Sequence, residues 1–425
     1  MTANNLDLVP FVAPALLVLA SFGLVLVLLV TSNHRRSILA VAVGASGGLE
    51  AIQVLELHAF VPVAAGWLVV VVLVEREPPG RATAPTILLV SALLLAVTAL
   101  IGPLVNSPLI GLQLIALALT AAAIALWAKS DDLERFRSGL LAAISISSGI
   151  GLLQYLGIIA HPLFFGENRP SGLYSEPDWL GMYGAVGIVL ALYVKRPVSR
   201  IPLVALNSIA VLLASARAAW VAIAVLLALL IAERLLVGRW SDYRKIAGPT
   251  LIGALSIGAI VLFTNPALQD TVFERFAGAF SNERDVSANA RLQQQDSLYK
   301  LAEDAPWYGA GLSASGRVGL SGFVDYHGVA RNNVASNWIL GWWADGKLLA
   351  IPLISILALL ALRARRRCEG QVLIVTLLCS LFSNAAYKPI TWLAAAMCVG
   401  VLNLSGPTSG READEPGRSI TTDGR

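Results

Sequence analysis

The chain has 425 residues, of which 56% are hydrophobic and only 14% are charged. A soluble globular domain carries roughly 25% charged residues, so this composition excludes a protein whose main solvent is water. The formal net charge of +4 suggests an acidic partner only until the basic residues are placed along the chain. Membrane topology then accounts for most of them, and no nucleic-acid partner is expected.

Long apolar runs separated by short polar connections occupy most of the chain. Unsatisfied backbone groups are too costly in hydrocarbon for any other open structure, so each spanning segment must be a helix of about 20 mostly apolar residues. The pattern therefore predicts an all-α fold, a polytopic transmembrane helical bundle of about 12–13 spans. The predicted spans are residues 8–30, 38–56, 59–74, 85–105, 109–128, 139–160, 177–194, 200–215, 218–236, 247–264, 347–362, 371–385 and 389–404.

The sequence predicts neither a cleaved signal nor a disulfide framework. Residues 8–30 are too long for the core of a signal peptide, and no small-residue cleavage site follows them, so we interpret them as a retained first span. Cys368, Cys379 and Cys398 fall in apolar runs or in a basic connection, where packing explains them.

Basic residues concentrate in every second connection between the predicted spans. These are Arg35 and Arg36, Arg76 and Arg81, Lys129 with Arg135 and Arg137, Lys195 with Arg196 and Arg200, the segments 234–245 and 363–367, and the tail. The positive-inside rule puts these connections in the cytoplasm, with the amino terminus outside and the tail inside. If the second and third spans are halves of one broken helix, the amino terminus and the Arg35–Arg36 turn change sides, and nothing downstream changes.

One polar segment interrupts the series of spans. Residues 1–264 are predicted to hold the first ten spans, 265–346 an external loop, 347–404 the last three spans, and 405–425 a disordered cytoplasmic tail. The loop is too long to be a bare connector, so it should carry structure and function. Helical patterning at 268–280 and 290–303 predicts short helices on the membrane surface.

Arginine residues stand at predicted outer ends of the spans. Arg217, within the sequence SARAAW at 215–220, joins two apolar runs with almost no loop. A charge in that position costs several kcal/mol unless it meets water or an anion, so Arg217 is a functional candidate; snorkelling to the headgroups would also explain it. Together with Arg169 and Arg291 it would form a bidentate site for phosphate oxygens, which guanidinium geometry suits better than ammonium.

Four motifs follow one another in an order that resembles one family. They are SARAAW at 215–220, the arginine helix around Arg291, PWYGAGL at 306–312, and Ser336-Asn337 followed by Asp345-Gly346. Their order, their spacing and the long loop before the last spans resemble the O-antigen ligase and O-antigen polymerase superfamily. The resemblance covers about residues 165–350 and is topological elsewhere.

This resemblance implies a metal-independent, inverting glycosyltransferase of the bacterial inner membrane. Members take a glycan from an undecaprenyl-diphosphate lipid on the outer face of that membrane. Ligases pass it to a lipid A core, and polymerases pass it to another repeat unit. The expected partners are therefore the lipid-linked donor, a lipid or glycan acceptor, and membrane lipids. The loop has no aspartate-rich metal motif, and we expect neither a metal nor another cofactor.

The resemblance also assigns roles to individual residues. Arg217 and Arg291 would bind the donor diphosphate and offset charge on the departing group. The residues predicted to be catalytic are Arg217, Arg291, His327, Ser336 and Asn337. The residues predicted to bind substrate are Arg169, Glu176, Asp178 and Trp338. Aromatic residues in the loop, Trp338 among them, favour either an interfacial belt or stacking on sugar faces.

One position departs from the family pattern. Members usually carry His-Asn where this chain has Ser336-Asn337, and serine is no base near neutral pH without help from another group. The remaining candidates are His327 and the carboxyl groups of Glu176, Asp178 and Asp345. Histidine titrates near neutrality, and a partly dry cleft would raise the pKa of a carboxyl group. The third possibility is that the assignment or the activity is lost.

Two other classes of protein compete with a transferase. A transporter of polar lipids would also place arginines in a cavity, but transporters often contain internal repeats, and none is visible in this sequence. A catalytically silent binder of lipid-linked glycans is compatible with Ser336. Loss of product, with donor binding measured separately, would distinguish the enzyme from the binder.

Overall fold

The computed structural model describes residues 34–49, 53–54, 57–159, 169–237, 286–318 and 334–404. Several predicted features lie outside the described residues: the spans at 8–30 and 247–264, the surface helix at 268–280, His327 and the tail at 405–425.

The described part of the chain is almost entirely helical, which confirms the all-α prediction. The helices are α1 (Arg35–Gly47), α2 (Phe60–Val69, continued by a π-helical turn, Val70–Val74), α3 (Thr83–Ile101), α4 (Pro108–Trp127), α5 (Ser130–Tyr155), α6 (Pro177–Leu192), α7 (Pro197–Ala214), α8 (Arg217–Val237), α9 (Val286–Asp304), α10 (Trp338–Gly346), α11 (Ile351–Arg363), α12 (Cys368–Cys379) and α13 (Pro389–Leu404). Short 3₁₀ turns lie at Ala314–Arg317, Lys347–Leu349 and Ala385–Tyr387. Strands β1 (Gln53–Val54) and β2 (Leu57–His58) form one antiparallel pair after α1.

Among the described helices, α3, α4, α5 and α7 are long and apolar enough to cross a membrane, judged by length and composition. The shorter apolar helices are Phe60–Val74, Pro177–Leu192, Ile351–Arg363, Cys368–Cys379 and Pro389–Leu404. Two predicted spans depart by nine residues at one end. The span at 38–56 is wrong in its second part, since α1 ends at Gly47 and β1 follows at Gln53–Val54. Helix α5 begins at Ser130 instead of residue 139. The polar first turn is helical because the Asp132 side chain accepts a hydrogen bond from the Lys129 amide (3.0 Å), as in a helix cap.

Ion pairs join the basic connections at one end of the bundle, which we call the basic end. Arg36 contacts Glu75 at 2.7 Å and Asp132 at 2.5 Å, which links the start of α1 to the α2–α3 connection and to the first turn of α5. Further pairs are Lys195–Glu134 at 3.2 Å, Arg137–Glu369 at 3.4 Å and Arg365–Glu233 at 3.4 Å. The alternate connections rich in Lys and Arg therefore lie together, as the charge pattern predicts.

Helices α1 and α5 cross at two glycines that allow the backbones to touch. A Cβ atom added to Gly44 would lie 2.0 Å from the Phe136 carbonyl oxygen, and one added to Gly139 would lie 2.0 Å from the Val41 carbonyl oxygen. Small residues at such a crossing permit close packing of helices in a membrane. The position of α1 against the bundle therefore depends on the missing side chains.

Replacing Gly139 with alanine should force these helices apart and lower the melting temperature of the purified protein. Overpacking typically costs about 1–3 kcal/mol. Gly149→Ala is the matched control, because Gly149 lies on the same helix and an added Cβ meets nothing within 4 Å. Equal melting temperatures for the two variants would contradict the proposed role of the crossing.

The described residues between α8 and α11, 286–318 and 334–350, pack on the opposite end of the bundle, which we call the loop end. Arg317 Nη2 donates to the Val105 carbonyl at 2.8 Å, and the Ser107 amide donates to Ser313 Oγ at 2.8 Å. The Trp338 amide donates to the Ser380 carbonyl at 3.1 Å, and Asn384 Nδ2 donates to the Ala335 carbonyl at 2.9 Å. These contacts fix residues 313–317 over the α3–α4 turn and the start of α10 over the α12–α13 turn.

The PWYGAGL motif and Asp345 hold this loop together. The backbone at Gly309 and Gly311 has positive φ (91° and 115°), and both glycines cross the end of α10, where a Cβ at Gly309 would lie 2.2 Å from the Asp345 carbonyl oxygen. The buried Asp345 carboxylate accepts hydrogen bonds from the Ser313 amide at 3.0 Å and the Ser315 amide at 2.7 Å. These two motifs therefore have a structural role in closing the loop.

Candidate functional site

Three predicted site residues meet at the loop end. Asp178, in the first turn of α6, contacts Arg169 Nη2 through Oδ1 at 2.7 Å and Arg291 Nη2 through Oδ2 at 3.2 Å. Arg169 precedes α6 in the chain and Arg291 belongs to α9, so one carboxylate joins three separate segments. The three side chains are 12–26% exposed, so they are largely shielded from solvent but reachable from it.

Arg169 also connects this cluster to the turn that carries Arg217. Its Nε donates to the Ala214 carbonyl at 2.7 Å, at the last residue of α7. The next residue, Ser215, has a left-handed backbone (φ 48°, ψ 36°), which ends α7 and lets α8 begin at Arg217. The structure thus ties Arg217's turn to Arg169 and ties Arg169 to Arg291 through Asp178. We call Arg169, Asp178, Arg217 and Arg291 the arginine cluster.

The position of Arg217 at the start of α8 is electrostatically unusual. The amide ends of a helix carry partial positive charge, so a cation in the first turn is disfavoured by about 0.3–1 kcal/mol, whereas an anion is favoured. The first turn of α8 contains no acidic residue. Backbone amides and a partly buried guanidinium at the same helix start are the arrangement that binds phosphate groups.

Another basic residue lies next to a helix start at this end, and it was not predicted from the sequence. Lys388 lies immediately before α13, and its Nζ is 5.1 Å from the centre of the Trp179 ring. Trp179 follows Asp178 in α6, so Lys388 adds positive charge beside the arginine cluster. The available signal was a lysine in a connection on the predicted outer side, where the positive-inside rule does not favour basic residues.

Ser336 is hydrogen-bonded to Gln294, the residue one helical turn after Arg291. The buried side chain of Gln294, three residues after Arg291 on α9, accepts hydrogen bonds from the Ser336 amide at 3.3 Å and from the Ser336 hydroxyl. Residues three apart share a helix face. The position at which the family usually has histidine therefore contacts the face of α9 that also carries Arg291. The serine hydroxyl here donates to an amide oxygen, which gives it no basic character.

Asn337 and Trp338 have contacts that position α10. Asn337 is the N-cap residue, and its Oδ1 accepts from the amides of Ile339 at 3.0 Å and Leu340 at 3.1 Å. Trp338 is buried, and its Nε1 donates to the Leu377 carbonyl at 3.1 Å. Both residues hold Ser336 in place next to Gln294. Their predicted catalytic and sugar-binding roles stay predictions.

The candidates for a base differ in accessibility. Glu176 is exposed at the N-cap position of α6, two residues before Asp178. Asp178 already contacts two guanidiniums, which stabilise its charged form and make it a poor proton acceptor. Asp345 is fully buried between two backbone amides. Of the carboxyl groups considered, Glu176 is therefore the one open to a substrate from this end, and His327 lies outside the described residues.

The described residues contain no group of three or more His, Cys, Asp or Glu side chains that could hold a metal ion. The positive charge of the arginine cluster comes from side chains on three segments and from the start of α8. This arrangement suits an anionic group with several oxygen atoms.

The fold and the site together define a helical membrane protein with a partly buried cluster of arginines around one carboxylate at one end of its bundle. Within that class, residues 202–346 match the family model of O-antigen ligase, which confirms the resemblance to the O-antigen ligase and polymerase superfamily. The matched region contains Arg217, Arg291 and Ser336, whereas Arg169, Asp178 and Lys388 lie outside it. A search of curated proteins finds no match.

Proposed function

We propose that the protein is an O-antigen ligase-like glycosyltransferase that moves a glycan from an undecaprenyl-diphosphate donor to an acceptor such as a lipid A core. The observation that supports this proposal is the arginine cluster, in which Asp178 contacts both Arg169 and Arg291, and Arg169 contacts the turn from which α8 begins. A diphosphate is the part of the donor that such a cluster would recognise, because each guanidinium can bind two phosphate oxygens.

The proposed reaction breaks the bond between the anomeric carbon and the diphosphate oxygen. The acceptor hydroxyl attacks the anomeric carbon from the opposite face and loses its proton to a base, and the polyprenyl diphosphate departs. The arginines offset the charge that develops on the departing oxygen. Glu176 is the exposed carboxylate in the described site that fits the base, and His327 remains the alternative. Neither a metal nor another cofactor has a role in these steps.

The family match supports a second candidate equally at the level of chemistry. A polymerase would use the same donor and pass the glycan to another repeat unit, so the arginine cluster serves both reactions. The acceptor therefore distinguishes ligase from polymerase. A binder or transporter of lipid-linked glycans would use the cluster without breaking the glycosidic phosphate bond.

The proposed location is the bacterial inner membrane, with the loop end facing the periplasm or exterior. The gathering of arginines, lysines and carboxylates at the basic end supports this orientation through the positive-inside rule. Since the three native cysteines are buried, single cysteines introduced at Ser175 and Ser199 report on the two ends. A membrane-impermeant maleimide added to intact spheroplasts should label the first and spare the second. The reverse pattern would refute this orientation.

The activity itself is tested by reconstitution in proteoliposomes with a glycan linked to undecaprenyl diphosphate. We expect release of undecaprenyl diphosphate and appearance of the glycan on a lipid A core, with an oligosaccharide repeat unit as the competing acceptor. Product on the repeat unit alone would assign a polymerase. Tight donor binding without release of the diphosphate would assign a binder and refute the transferase.

A further inference from the structure

We propose that Asp178 is a positioning residue that holds Arg169 and Arg291 ready for the donor diphosphate and releases Arg291 when the diphosphate binds. This inference rests on the proposed function for the identity of the ligand. It assigns the carboxylate a role different from direct contact with substrate, since a carboxylate and a diphosphate repel one another.

The contacts of Asp178 suit this role because its two oxygens are divided between the two arginines. Oδ1 contacts Arg169 Nη2 at 2.7 Å, whereas Oδ2 contacts Arg291 Nη2 at 3.2 Å. The Arg169 guanidinium has a further anchor in the Ala214 carbonyl, at 2.7 Å from Nε. Arg291 is therefore the more weakly held of the two and is the arginine that an incoming anion would take over.

The segments that meet at Asp178 would otherwise repel one another. Two guanidiniums sharing a partly buried site destabilise each other, and an intervening carboxylate offsets that repulsion. Arg169 is fixed beside the α7–α8 turn, while Arg291 belongs to the loop helix α9, which is anchored nearby by Gln294. Asp178 thus sets how far the loop arginine lies from the turn that carries Arg217.

Charge balance supports exchange of one anion for another. Asp178 sets one negative charge against the two positive charges of the guanidiniums that it contacts. A diphosphate that takes over Arg291 brings more negative charge than Asp178 supplied and makes bidentate contacts that a single carboxylate oxygen does not. The carboxylate therefore prepares the site without blocking it.

The test compares Asp178→Asn, Asp178→Glu and the control Asp296→Asn, an exposed acidic residue on α9. Binding of undecaprenyl diphosphate and turnover of the glycan donor are measured separately on each reconstituted protein. The asparagine variant should bind the diphosphate about 3- to 10-fold more tightly, because a competing negative charge is gone, and should turn over at least about 10-fold more slowly, because Arg291 is no longer oriented. The control should stay within about twofold of the wild type on both measures.

A parallel loss of diphosphate binding and turnover in Asp178→Asn would overturn the proposal, because it would indicate a merely structural role. Unchanged turnover would overturn it as well. If the asparagine variant does not fold, Asp178→Glu tests the positioning role instead. The glutamate variant keeps the charge but displaces it, so turnover should fall while diphosphate affinity stays within about twofold, and unchanged turnover would refute positioning. Absence of transfer in the wild-type protein would refute the proposed function. The diphosphate affinities of the variants would still test the role of Asp178.

Discussion

Arg217→Lys should lower the turnover of donor on the order of 100-fold while weakening donor binding only a few-fold. Lysine keeps the positive charge at the start of α8 but loses the planar fork that binds two phosphate oxygens at once. Removal of one preorganised donor that stabilises developing charge typically costs about 100- to 1,000-fold in turnover. Arg217→Ala should have the larger effect, since it also removes the charge.

The measurement is single-turnover release of undecaprenyl diphosphate by the reconstituted protein, with donor affinity determined in parallel. Arg196→Lys provides the matched control, because Arg196 is an exposed arginine at the start of α7, at the basic end of the bundle. That variant should be as active as the wild type within about twofold. Wild-type turnover in Arg217→Lys would mean that the guanidinium geometry is irrelevant and would leave snorkelling as the explanation of this residue.

Asp345→Ala should destabilise the docked loop by about 2–6 kcal/mol, the second large effect we expect. The substitution leaves the Ser313 and Ser315 amides buried without their acceptor, and each unsatisfied buried group costs about 1–3 kcal/mol. The loss should appear as a lower melting temperature and as faster proteolysis within residues 306–318. Asp296→Ala, at an exposed position on α9, should leave both unchanged.

The same carboxyl group makes the stability of the loop depend on pH. Burial raises the pKa of Asp345 to about 7 from an ordinary value of 3.8, although the Ser313 and Ser315 amides act in the opposite direction. The folded state then binds the proton more tightly than the unfolded state, so the free energy of unfolding falls as pH rises from about 4 to about 7. Asp345→Asn should remove this slope relative to the wild type, and Asp296→Asn should retain it. Equal slopes in the wild type and Asp345→Asn would contradict the assignment.

Most of the helical architecture could be predicted from the sequence because the bilayer permits few alternatives. Apolar runs of spanning length must be helices, and the predicted spans at 59–74, 109–128, 177–194 and 389–404 agree closely with the observed helices. The alternation of basic connections likewise predicted which ends lie together. The polar start of α5 was missed, because its capping contact depends on side-chain geometry that hydropathy does not report.

Of the residues at the site, the arginines were the ones whose importance could be predicted from the sequence. Arg217 was conspicuous because it interrupts apolar sequence, and Arg169 and Arg291 lie in polar loops next to family-like motifs. The partners of these arginines were not predictable, because Asp178 precedes Arg291 by 113 residues and the contact exists only after α9 docks. The contacts of Gln294 with Ser336 and of Lys388 with Trp179 were not predictable for the same reason. The sequence suggested a functional role for the PWYGAGL motif and Asp345, whereas in the structure both hold the loop together.

By itself the sequence determined that this protein is a helical membrane protein, which connections carry the basic charge, and which superfamily it resembles. Those properties follow from hydropathy, charge and short motifs, all of which act locally or through the bilayer. Only the tertiary structure decided that one carboxylate joins Arg169 to Arg291, that Arg169 anchors the turn before Arg217, and that Ser336 contacts α9 at Gln294. Such contacts form between segments far apart in the chain, where packing alone fixes the distance between charges.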